Sequence, residues 1–209
     1  MLTYATIAIL LAVPHPLFAH LPNSQTKSNL VVSQPNNQNN IEELIKKGVQ
    51  KYRTQQYQEA LQIYQIALKF AKQQQSRVLE TEISQKIGVT QSKLGNYIEA
   101  LQYLQQALSL TKQEGNRTSE ASILNDIAGT YQLKGSFTEA LQTFQQALAI
   151  RREVKDRVGE GRTLSNIGAI YDALGKYSEA IASYQKALTI LQELNNRQGI
   201  GAILNTSTK

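Results

Sequence analysis

The chain has 209 residues, 41% of them apolar, which suits one ordinary domain or a short repeat array and is too apolar for a disordered chain. It has no cysteine, and its histidines, His15 and His20, both lie near the N-terminus, so disulfides, thiolate chemistry and the usual zinc ligands are excluded from the body. The formal charge of +6 is concentrated: residues 41–80 carry seven Lys/Arg against four Asp/Glu, while 81–120 and 121–160 each balance to zero.

Residues 2–13 form an uncharged apolar run, and Leu17-Phe18-Ala19 offers a small residue at a cleavage point, so residues 1–19 read as a signal peptide. Pro14, His15 and Pro16 interrupt the run before the ~20 apolar residues of a membrane helix, so no stable membrane span is expected. No Lys or Arg precedes the run, and the competing reading is a buried apolar strap. Export to the periplasm or the extracellular space follows from the first reading; without it the compartment is the cytoplasm. Residues 20–40 are rich in Asn, Gln and Ser, with Asn36, Asn37, Asn39 and Asn40 closely spaced, and read as a flexible linker.

Beyond Pro35 there is no proline, which favours an all-helical body. Glu59-Ala60-Leu61, Glu99-Ala100-Leu101, Glu139-Ala140-Leu141 and Glu179-Ala180-Ile181 recur every 40 residues. The same period holds for Tyr57, Tyr97, Phe137 and Tyr177, and for Tyr64, Leu104, Phe144 and Tyr184. Four units follow, at 41–80 (the most divergent), 81–120, 121–160 and 161–200. Apolar residues step by three and four on either side of Gly95, Gly135 and Gly175, so each unit reads as two helices with a left-handed glycine between them. The first unit has Gln55 at that point, and its turn is less well determined. Ser136 with Glu139, and Asn96 with Glu99, have the spacing of a capping box. Alanines seven apart, such as Ala140 and Ala147, allow close helix approach, as do Ala128 and Gly168 in the first helices. A single pair cannot cover both its apolar stripes, so roughly three or more must stack into one solenoid. Asn196 to Asn205 parallels Asp156 to Ser165, so 201–209 read either as the start of a fifth unit or as a capping helix.

Gly168, Gly175, Tyr177, Ala180, Tyr184 and Ala187 together resemble the tetratricopeptide repeat. The 40-residue length is similar to the longer variety of kinesin light chains and bacterial multi-repeat proteins; Lys72, Lys112, Arg152 and Gln192 stand where a shorter unit has proline. The resemblance implies an all-α, right-handed superhelical α-solenoid of antiparallel helix pairs. It also implies a non-catalytic adaptor or scaffold, with no cofactor and no metal, whose first helices line a concave groove for a protein or peptide partner. The groove-facing candidates are Lys86, Val89, Asn125, Asp126, Gly129, Arg162, Ser165, Asn166 and Ala169, the amides being suited to peptide backbone. The basic-and-asparagine clamp of chaperone-binding relatives would need the positions of Ile45 and Val49, so that clamp is absent.

Two rival readings stay open: a remnant of a larger signalling or effector protein, and a weak nucleic-acid binder through Lys46, Lys47, Lys51 and Arg53. Nucleic acid is the poorer fit, because most of Tyr52, Tyr57, Tyr64, Tyr97 and Tyr103 occupy core positions of the repeat and their helical spacing favours packing. Exposed solenoid ends also leave room for a homodimer. Catalysis is not expected: Glu59, Glu99 and Glu139 are explained by first-turn positions, and Gly159-Glu160-Gly161 lacks the strand and third glycine of a nucleotide loop.

Overall fold

The computed structural model describes residues 38–196 together with 199 and 200. The signal-peptide reading of 1–19, most of the linker, and 201–209 lie outside these residues. Eight helices occur among the described residues: α1 (Gln38–Arg53), α2 (Tyr57–Gln73), α3 (Arg77–Lys93), α4 (Tyr97–Gln113), α5 (Arg117–Lys134), α6 (Phe137–Glu153), α7 (Arg157–Ala173) and α8 (Tyr177–Glu193). Each helix packs on the next, and α3 also meets α5, giving an all-α solenoid of helix pairs. None of the described helices is long and apolar enough to cross a membrane. The linker reading over 20–40 is corrected at its end, since Gln38–Asn40 form the first turn of α1. The period of 40 stands, but the helix pairs start at 77, 117 and 157, four residues ahead of the boundaries at 81, 121 and 161.

The phase is set by the turns. Every helix closes with the same bond, in which the third residue past its end (the second after α5) donates N–H to a carbonyl five residues back. Asn96 N–H to Gln91 O (3.0 Å) and Asp156 N–H to Arg151 O (2.8 Å) are examples. This closure needs a left-handed residue just before the donor. Gly95, Gly135 and Gly175 supply it within units, as the sequence predicts, and Gly115 supplies it between units. Gln55 at φ 60° and Lys155 at φ 58° adopt the same conformation without glycine. The first unit's turn therefore has the same form as the others, at greater backbone cost.

The capping expectation is corrected. Neither Asn96 nor Ser136 caps its helix through its side chain, and the Asn96 amide donates instead to Gln91 Oε1 at 2.8 Å. Side-chain caps sit on first helices: Asn116 accepts from Ser119 N–H (3.0 Å) and Asp156 from Gly159 N–H (2.8 Å). Asn196 accepts from Gly199 N–H in the same way at 2.9 Å, and Ile200 packs on the core of the fourth unit.

Within a unit the close contact lies between a small residue on the first helix and a large one on the second. A Cβ on Gly88 would lie 2.6 Å from Leu104 Cγ, and one on Gly168 would lie 2.8 Å from Tyr184 Cε1. Ala128 opposite Phe144 fills the same register, and both are buried. Ala100, Ala107, Ala140 and Ala147 are likewise buried. Charge reinforces the junctions. Glu160, almost wholly buried, accepts from Arg152 Nε at 2.8 Å and from Arg157 at 2.7 Å, and Arg157 reaches Glu193 at 2.9 Å. Glu120 is held by Lys112 and Arg117 one unit earlier. Burial pushes the Glu160 carboxyl up, but its two arginine partners outweigh that and hold it below the usual range.

Candidate functional site

The first helices build one wall. Side chains link them across successive units: Gln85 Nε2 donates to Asp126 Oδ2 at 2.6 Å and to Ser122 Oγ at 3.3 Å, joining α3 to α5. Asn166 Nδ2 donates to Asn125 Oδ1 at 3.1 Å, joining α7 to α5. Beneath them the buried hydroxyls of Ser92 and Thr130 lie 2.6 Å apart. The residues just above the core in this wall are half-buried, which leaves their polar atoms reachable from solvent.

Two clefts open on the wall. The first, about 360 Å³, has an apolar floor of Val49, Tyr52, Tyr64 and Val89, with Gln85, Thr90 and Asp126 on its sides and Arg53 and Lys86 at the rim. The second, about 330 Å³, runs along α3, α5 and α7 between Lys93, Asn125, Gly129, Leu133 and Asn166. Val89 and Asp126 line both. Six of the nine sequence candidates are thus brought together: Lys86, Val89, Asn125, Asp126, Gly129 and Asn166. Arg162, Ser165 and Ala169 lie on α7 to either side of Asn166 and line neither cleft. Lys86 is drawn toward Glu82 at 3.4 Å, and Ile45 is buried.

Asp126 has the most altered chemistry here. Burial raises its carboxyl to about 6, and the Gln85 hydrogen bond, Arg151 and Lys86 only partly oppose that. Burial also pushes the Tyr64 hydroxyl up to about 12 and raises that of Tyr52, so both stay neutral donors. With Asn125 and Asn166 paired to one another, the Asn125 N–H₂ and the Asn166 carbonyl oxygen remain for a ligand. Such a wall can hold extended backbone and accept one or two apolar side chains.

Several site residues escape the sequence reading. Gln85 stands in the same register as Asn125 and Ser165, 40 and 80 residues on, and that register alone identifies it. Arg53 and Lys93 lie 40 residues apart in one register, which none of the nine candidates shares. Tyr52 shows no such signal: its register runs on to Ser92, Gln132 and Asp172 and holds none of the nine candidates, yet it is half-buried at the cleft and stacks edge-on against Tyr57 with ring centres 5.2 Å apart.

A family model described as tetratricopeptide repeat matches residues 43–113 and 119–193. The chain belongs to the tetratricopeptide repeat family. Among curated proteins nothing matches. Among solved structures, a Rap protein complexed with competence and sporulation factor matches this tetratricopeptide array at a TM-score of 0.74 and 19% identity, covering 79% of this chain and 46% of that one. A Rap conjugation gene regulator of the plasmid pLS20, in complex with a Phr peptide, matches at 0.68 and 18%, covering 78% and 45%. Nearly identical TPR-like repeats from Podosopora anserina, described as a kinesin light chain, match at 0.62 and 16%, covering 82% and 94%. At these identities the similarity is one of fold. The chain spans less than half the length of either Rap protein.

Proposed function

We propose that this chain is a non-catalytic interaction module that grips a peptide or protein segment along α1, α3, α5 and α7. One observation carries the reading: polar groups that are half-buried, bonded to each other across units and still short of their full hydrogen-bond complement line two joined clefts with apolar floors. The two Rap structures, each solved with a partner factor or peptide, support it by analogy of fold. The nine wall residues from Lys86 to Ala169 are the proposed contact set, with the six at the clefts central. A role as one part of a larger signalling protein is a second reading, supported by the length of the Rap proteins relative to this chain. The proposed compartment is the exported one and rests on residues 1–19 alone.

The test is cross-linking in living cells followed by identification of the attached protein, comparing wild type with an Asn125→Ala, Asn166→Ala double variant. Because the two amides pair with each other, removing both leaves neither stranded. A discrete adduct that fades in the variant is expected. No adduct, together with turnover of a small substrate by the purified chain, would overturn the reading.

A further inference from the structure

The charges around the two clefts are unbalanced. Arg53 and Lys86 line the first and Lys93 the second, whereas Asp126 is the one carboxylate that lines either. Arg53 and Lys93 are exposed and make no ion pair among the described residues, while Asp126 already accepts from Gln85. Lys86 is paired with Glu82, so two unpaired cations, Arg53 at the first cleft and Lys93 at the second, flank a seat whose single lining anion is already hydrogen-bonded.

We infer that the seat formed by the two clefts takes an acidic peptide segment: an apolar side chain on the Val49–Val89 floor, with carboxylates directed to Arg53 and Lys93. This deepens the proposed function and rests on it. Charge complementarity carries the choice, since a basic segment would meet the unpaired Arg53 and Lys93 and gain one lining carboxylate that is already hydrogen-bonded. The position of Asp126 adds a consequence. The titratable and charged groups around it are Tyr52 and Arg53 from α1, Tyr64 from α2, Lys86 and Lys93 from α3 and Arg151 from α6; from α7 only the uncharged Asn166 lines the clefts with it. An acidic ligand that displaces water from both clefts favours the protonated form of Asp126, so its binding takes up a proton and tightens as pH falls from 7.5 to 5.5. A basic ligand would release a proton and loosen over the same range.

The experiment uses three labelled peptide pools of equal length and equal apolar content, whose polar positions are Asp/Glu, Lys/Arg or Ser/Asn. Fluorescence anisotropy is read against the full chain at two pH values and two salt concentrations. The acidic pool is expected to bind best, to weaken with salt, and to lose roughly fivefold in affinity for each of Arg53→Ala and Lys93→Ala, both exposed positions whose loss leaves the helical spectrum unchanged. Preference for the basic pool, equal binding of the neutral pool, or indifference to both substitutions would overturn the charge assignment while leaving an interaction module standing. Failure of all three pools, combined with no adduct in the cellular cross-linking, would remove the module as well.

Discussion

Asp126 folds at a cost that its neighbours only partly offset. Its carboxyl titrates near 6 in the folded chain against 3.8 in the reference state, so the ionised form is disfavoured by folding. The penalty is present above about pH 6 and disappears as pH falls toward the unfolded value. Asp126→Asn, which keeps an oxygen for Gln85, is expected to stabilise the chain by about 1–3 kcal/mol at pH 7.5, and the two proteins should converge in urea titrations below pH 4. Glycines separate packing from propensity at the same scale. Gly88→Ala drives a Cβ to 2.6 Å from Leu104 Cγ and 3.0 Å from the Ala100 carbonyl oxygen, and should cost about 2–3 kcal/mol. A Cβ on Gly129 meets nothing within 4 Å, so Gly129→Ala should gain about 0.5–1 kcal/mol in the same assay while narrowing the second cleft.

Among the elements, the junctions hold by buried glutamates as well as by apolar stripes. Glu160→Gln leaves Arg152 without an anionic partner and Arg157 with Glu193 alone, and is expected to cost about 1–2 kcal/mol, reduced from a fully buried pair because both arginines are about half exposed. Since the folded carboxyl lies below its unfolded value, this contribution is full at neutral pH and is lost as pH falls through the acid range. The helices themselves were legible from period and spacing: the glycine turns, the spaced alanine face and the close-contact positions Ala128 and Gly168 all follow from the sequence. The caps were not, because Asn96 and Ser136 have the right spacing but the Asn96 amide is claimed by Gln91, a partner that only the closed turn brings near. For the site, register identifies Lys86, Asn125 and Asn166, whereas the role of Tyr52 depends on how far α1 stands from α3, which no local pattern encodes.

For the whole array, function comes down to which side of the helix pairs a partner meets. The first helices carry the half-buried polar ladder and the two clefts, while positions such as Gln102 on α4 and Gln142 on α6 are exposed outer residues that line neither. A photo-activatable cross-linker placed in turn at Val89, Gly129, Gln102 and Gln142 and activated in living cells compares the two sides directly. Adducts with a common partner at Val89 and Gly129, and none at Gln102 and Gln142, are the predicted result. Adducts confined to the outer pair, or equal at all four positions, would contradict it.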